Sequence, residues 1–301
     1  MAKSLLAYAI PYVVIASLQY SFAKDGLLYA DPLTFMAGRY LIGALATFTF
    51  ARSFRPRLNK DTVLLSLFTA ASTLLWIYGL QRVSPSQSAV LSFTMPLFAI
   101  PLATMVLNEK TSRIGWAGTL LGFLGVAVYG LSLAGSGATL FGGLLTVGNA
   151  AFWASYTVYY RKTRSQDATT TVGTQLLVCG IIFAAFSPLT FAVRVTPEFL
   201  VDLCYISLFS GFGLFFLWNG MLRRERVGKV TTLAFAVPAM TTLIETVETG
   251  VLPGPETLAG IVIIFLGIYV SNVAARKGQP AAVPSSPSPP REEGWGRTPV
   301  G

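Results

Sequence analysis

The chain alternates between apolar blocks about 20 residues long and short polar links. Ten blocks stand out, at 4–23, 32–51, 62–81, 86–107, 113–133, 138–160, 170–193, 199–222, 229–251 and 256–275. A helix rising 1.5 Å per residue crosses roughly 30 Å of hydrocarbon in about 20 residues. Lipid offers no partner to a backbone amide, so a block of this length is predicted to be helical. The links are too short for an extramembrane domain, and the pattern predicts an all-α integral membrane protein with ten transmembrane helices. Lys3 and Ser21-x-Ala23 give the first block a weak likeness to a cleaved leader. Its run is longer than a leader core, and the repeat below requires it. Residues 278–301, rich in Pro and Ser, predict a disordered cytoplasmic tail.

Sliding residues 75–129 onto 217–271 without a gap matches fourteen positions, including Trp76/Trp218, Phe93/Phe235, Pro96/Pro238, Gly118/Gly260 and Gly125/Gly267. Shared apolar composition yields chance Leu and Ala matches, but not coincident Trp, Pro and Gly. The blocks therefore divide into a first five-helix repeat (1–135) and a second (136–277). Five is odd, so the second repeat enters the membrane from the opposite side. Two inverted halves around a central cavity can expose one site to either face in turn, which predicts a transporter.

Charge fits this inversion. The turn after Trp76 carries Arg82 alone, while the turn after Trp218 carries Arg223, Arg224, Glu225, Arg226 and Lys229. With the N-terminus inside, 18 of the 22 Lys and Arg fall on cytoplasmic segments and three (Lys24, Arg82, Arg194) outside. That bias predicts cytoplasmic termini in a bacterial inner membrane.

Composition agrees: 53% of the 301 residues are hydrophobic and 12% charged, against about 25% charged in soluble domains. The net charge of +9 is scattered between apolar blocks, so lipid rather than nucleic acid is the expected partner. Cys179 and Cys204 lie in apolar runs and are read as buried free thiols. With no histidine, no metal cluster and no GxxxxGK[ST] loop, no metal, cofactor or enzymatic centre is expected. Nor is a channel, since no selectivity ring or repeated pore loop is visible.

Asp31-Pro32-Leu33 leading to Arg39-Tyr40, Pro96 with Glu109 thirteen residues on, Gly118 to Gly125, and the run 150–158 resemble the EamA-type drug/metabolite transporters. The resemblance covers residues 4–275 and implies the two-repeat fold. Within that superfamily the chain looks most like the YddG-type exporters. That likeness implies export of amino acids, aromatic ones preferred, and of cations similar to methyl viologen. Where the family often has Glu after the second-half proline, this chain has Val251, so no acidic role passes to that position.

The candidate substrate-binding residues are Gln19, Trp76, Tyr78, Ser92, Phe93, Asn149, Trp153, Tyr156, Trp218 and Phe235. Aromatic rings suit apolar side chains and organic cations, and the polar groups suit a zwitterion. Trp76 and Tyr78, two positions apart on a helix, cannot both face a cavity. Pro96 and Pro238 are expected to kink their helices and gate the site. Intramembrane charge is costly, which singles out Arg39, read as pairing with a carboxylate or helix carbonyls, and Glu245, read as a coupling or ammonium-binding group. Glu248 reads as a solvated helix end. The protein is expected to act as a monomer on small amino acids. Core packing and helix glue are the competing readings for the aromatic and hydroxyl residues.

Overall fold

Proline at the first turn and a polar residue just before it recur at the helix starts. Asp31 caps Pro32–Ala51, Ser84 caps Pro85–Ser92 and Thr196 caps Pro197–Cys204, each side chain accepting from backbone N–H groups of the first turn. The computed structural model describes residues 2–52, 55–108, 112–133, 137–163, 168–225, 227, 230, 234 and 236–277. Phe235, Thr231, Glu109, Lys110 and the tail 278–301 lie outside the described residues.

The helices are α1 (Ala2–Gly26), α2 (Pro32–Ala51), α3 (Lys60–Leu80), α4 (Pro85–Ser92), α5 (Met95–Leu107), α6 (Arg113–Leu133), α7 (Gly137–Lys162), α8 (Ala168–Phe186), α9 (Pro197–Cys204), α10 (Leu214–Arg224), α11 (Ala236–Thr249) and α12 (Pro255–Lys277). A 3-10 turn, Ser187–Leu189, follows α8, and a π-helix, Tyr205–Gly213, joins α9 to α10. Among the described residues there is no strand, only an isolated antiparallel bridge, Ala30 to Val193. The fold is all-helical.

Among the described residues, six helical stretches are long and apolar enough to cross a membrane: Pro32–Ala51, Lys60–Leu80, Pro85–Leu107, Arg113–Leu131, Thr169–Leu189 and Pro197–Arg224. The protein is a multi-pass membrane protein. Helices α1 and α7 have 25 and 26 residues, also long enough to span. Both turn polar residues inward, Gln19 from α1 and Asn149 from α7.

The block at 86–107 is broken rather than kinked. α4 ends at Ser92, the chain turns through Phe93 and Thr94, and α5 restarts at Met95. Pro96 sits in the first turn of α5, where its missing N–H costs little. That N–H is the one that would have bonded the Ser92 carbonyl four residues back. Pro238 likewise lies in the first turn of α11. Neither proline is an interior kink.

α2 packs on α8 and α6 on α12, while α3 lies against α7 and α1 against α10 and α11. The α6–α12 seam depends on glycine. A Cβ on Gly125 would lie 2.5 Å from Ile264 N, and one on Gly260 2.7 Å from Tyr129 Cα. A Cβ on Gly267 would meet the backbone of Gly122. Small residues let helices approach closely where lipid supplies no hydrophobic drive for association.

The bridge at Ala30 joins the first half of the chain to the second. Asp31 N donates to Ala192 O (2.8 Å) and Arg194 N to Tyr29 O (2.7 Å). The Asp31 carboxylate also accepts from Leu33 N, Thr34 N, Thr190 Oγ1 and Ala192 N. Burial alone would raise this carboxyl, but these hydrogen bonds outweigh it and hold it below the usual aspartate range.

Two stability predictions follow from this packing. Gly267→Val should lower the thermal midpoint in detergent, by the equivalent of ~1–3 kcal/mol or more for overpacking. Gly130→Ala, where a Cβ meets nothing within 4 Å, should be neutral or stabilising. Equal midpoints for the two variants would contradict the seam.

Because Asp31 is depressed, its contribution is complete above the ordinary aspartate value of about 3.9 and is lost as pH falls through the lower folded value. Asp31→Asn should therefore melt below the wild type at neutral pH, with the gap closing in strong acid. A gap that is unchanged down to low pH would count against this role.

Candidate functional site

Ser and Asn inside an apolar helix have two outlets, their own preceding turn or a neighbouring helix. Here several take the second, and they meet at the centre of the bundle. Ser72 Oγ from α3 donates to Asn149 Oδ1 on α7 (2.6 Å), and Asn149 Nδ2 donates to Ser92 Oγ at the end of α4 (2.9 Å). On the other side, Arg39 Nη2 from α2 donates to Ser210 Oγ in the π-helix (2.9 Å). Ser210 Oγ passes on to Gln19 Oε1 on α1 (2.6 Å).

Between these chains lies a cavity with about 730 Å³ of empty space, the open solvent at its mouth included. α1, α2, α3 and the α4–α5 break line it from the first half of the chain, and α7, the π-helix and α10 from the second. Its apolar wall is aromatic. Trp153 stands edge-on to Phe215 (centroids 5.5 Å) and 6.3 Å from Trp218, and Trp218 packs against Tyr12 at 5.2 Å. Across from it, Tyr20 meets Trp76 edge-on at 5.8 Å.

Seven of the expected residues line this space: Gln19, Trp76, Ser92, Phe93, Asn149, Trp153 and Trp218. Phe235 lies outside the described residues. Tyr78 does not line the space; its partner Trp76 takes the inward face, as helix geometry requires of residues two apart. Tyr156 also stands off the cavity, stacked behind Trp153 (4.8 Å) with its hydroxyl donating to Asn219 Oδ1 (3.0 Å). The expected gate prolines are absent from the lining, which instead has Phe93 and Met95 from either side of the helix break.

Arg39 departs from its expected role. It is 5% exposed, lines the cavity and has no carboxylate bonded to it. Its guanidinium carbon lies 5.1 Å from the Trp76 ring centre and 5.6 Å from that of Tyr40. Glu245 is not in the lining either. Its Oε2 accepts from Ser84 Oγ (3.1 Å) and from Ser86 N (2.6 Å), so it holds α11 to the start of α4. Glu248 accepts from Ser21 Oγ at 3.4 Å. Lys24 Nζ donates to the carbonyls of Leu80, Gln81 and Val83. Lys24 and Leu80 lie one helical turn beyond the lining residues Tyr20 and Trp76. Both cysteines are free, but Cys204 is exposed rather than buried because it faces out of the bundle.

Sequence reasoning missed Tyr12, Tyr20, Ser72, Thr73, Ser210 and Phe215. A signal existed for α1, since positions 12, 19 and 20 share a helical face. None existed for Ser210, whose aim depends on the wide turn of the π-helix. That turn presses on α2, where a Cβ on Gly211 would lie 3.3 Å from Arg39 O.

The chain matches the model of the EamA-like transporter family twice, over residues 3–131 and 140–273. It is 48% identical to an uncharacterized transporter of Acidianus ambivalens encoded in the sor 3' region, over 79% of this chain and 93% of that one. A "probable amino-acid metabolite efflux pump" of Salmonella typhimurium is 26% identical over 91% of this chain and 97% of its own. A protein solved by crystallography shares the fold with a TM-score of 0.69 at 18% identity, covering 92% of this chain and 100% of that one. A polytopic helical bundle with a central polar and aromatic cavity, matched twice by one family model, belongs to the EamA-like transporter family.

Proposed function

We propose that this small-molecule transporter is a secondary exporter of amino acids, aromatic ones preferred, in the manner of the YddG-type exporters. In this reading it works by alternating access, in a cytoplasmic membrane with both termini inside. The observation that carries the reading is the cavity itself. It is central, built from both halves of the chain, and pairs an aromatic wall with hydrogen-bonding groups suited to an amino acid. The relative named as an amino-acid metabolite efflux pump supports the substrate class.

Ten spans in two inverted five-helix repeats, 1–135 and 136–277, agree with the two family matches and with the pattern of helix contacts. Under that division α2 and α8 are mates, as are α6 and α12, and each pair packs together. The contact of α3 with α7 is mirrored by that of α10 with α1. The contact of α4 and α5 with α7 is mirrored by that of α11 with α1. An approximate two-fold relation of this kind lets the halves exchange conformations around one site. Glu245, Glu248 and Lys24 then close the external mouth, and Glu245 is a latch rather than a coupling group.

The test of function is reconstitution into liposomes with labelled Phe, Trp and Thr, with and without a pH gradient. Saturable flux of labelled Phe, competed by unlabelled Phe, is expected, with Thr carried less well. Flux that does not saturate, or none at all, would sink the reading.

The latch has its own test. Glu245→Ala removes a charged acceptor worth roughly 1.5–3 kcal/mol, which shifts the closed–open equilibrium about tenfold or more toward the open mouth. With Ser92→Cys as reporter in a Cys179→Ser/Cys204→Ser background, an impermeant thiol reagent added outside should label the variant faster than its parent. Unchanged labelling would remove Glu245 from the gate.

A further inference from the structure

We propose that the central cavity is a receptor for organic carboxylates, that Arg39 holds the carboxylate, and that the site does not read an ammonium group. This rests on the transport reading above and narrows its substrate class to aromatic monocarboxylates. Amino acids belong to that class through their carboxylate alone, and organic cations are excluded.

The charge in the cavity is of one sign. Arg39 is buried and lines the space, and no Asp or Glu is among the lining residues. A charge taken out of water is retained only where something compensates it. Ser210 compensates it in part, accepting from Nη2. Arg39 Nε and Nη1 have no acceptor among the described residues. A carboxylate presents two oxygens to a guanidinium and forms short charge-assisted bonds with it.

The other orphaned groups of the lining point the same way. They are Trp76 Nε1 and Trp218 Nε1, so among the described residues the buried side-chain polar atoms of the lining that lack a partner are all N–H donors. The neighbouring acceptors each already take one hydrogen bond from the protein: Ser210 Oγ from Arg39, Gln19 Oε1 from Ser210, Asn149 Oδ1 from Ser72 and Ser92 Oγ from Asn149. A site whose unpartnered groups are donors suits an acceptor-rich ligand. An ammonium group entering it meets a like charge.

Aromatic rings do not reverse this. The faces of Trp76 and Tyr40, where a ligand cation could bind by cation–π attraction, already carry the Arg39 guanidinium. The rings of Trp153, Phe215 and Trp218 remain as the apolar wall, which fits the flat remainder of an aromatic acid. Under this proposal methyl viologen-like cations are poor ligands, because the Arg39 guanidinium repels them.

The experiment compares 3-phenylpropionate, 2-phenylethylamine and L-phenylalanine as ligands of the purified full-length protein, by equilibrium competition against labelled L-phenylalanine, alongside flux in liposomes. Phenylpropionate and phenylalanine should bind about equally, and each about tenfold or more tightly than phenylethylamine. Arg39→Gln should erase that preference and Arg39→Lys should restore part of it. The wild-type ligand series decides the question even if the variants fail to fold. Phenylethylamine binding as tightly as phenylpropionate overturns the proposal, as does recognition of phenylalanine with neither fragment bound. A folded Arg39→Gln protein that still prefers the carboxylate overturns the role of Arg39. Phenylalanine flux with amine preference defeats this inference alone, whereas no binding and no flux of any of the three defeats the transport reading along with it.

Discussion

A backbone amide in hydrocarbon has nothing to bond except its own helix, and this constraint shapes the whole molecule. It makes the chain helical, and it also limits where a helix can be interrupted. Two irregular places within long apolar stretches, among the described residues, are the turn at Phe93–Thr94 and the π-helix Tyr205–Gly213. Both border the central cavity, and each delivers side chains to it: Ser92, Phe93 and Met95 from the first, Ser210 from the second. Broken backbone is tolerated where it faces protein or a cavity. In this fold the broken places are therefore also ones that line the cavity.

Arg39 is the second consequence of a low-dielectric interior. A guanidinium there needs compensation, and this one receives a single serine hydroxyl and two aromatic faces. Ser210 reaches it because the π-helix widens the turn and because glycines at 43 and 211 let α2 and that segment approach closely. The site's charge, its supporting hydroxyl and the helix irregularity are thus one structural unit. The aromatic wall on α7 and α10 forms a second, nearly apolar unit facing it.

The contacts of Glu245, Glu248 and Lys24 differ in kind from those of the cavity. Glu245 and Glu248 accept from serine groups on α4 and α1, and Lys24 caps carbonyls at the end of α3. The α6–α12 seam is the opposite case. Its backbones meet so closely that a Cβ at Gly125, Gly260 or Gly267 would clash with the facing helix.

Much of this was legible in the residues. Hydropathy alone dictates helices, because lipid permits little else, and the matched Trp, Pro and Gly positions expose the duplication. Gln19, Ser92, Asn149 and the three cavity tryptophans stand out because polar or amphipathic groups in an apolar block require a partner or a purpose. What each group touches was decided only by the fold. Arg39 faces the cavity, Glu245 meets α4 instead, Tyr156 stands behind Trp153, and Pro96 begins a helix instead of bending one. These outcomes depend on rotation about each helix axis and on one extra residue in a turn. Hydrophobic blocks long enough to span a membrane carry little information about either, since a lipid-facing and a protein-facing leucine look alike in sequence. Chain composition set the medium and the helices; packing between helices set the site.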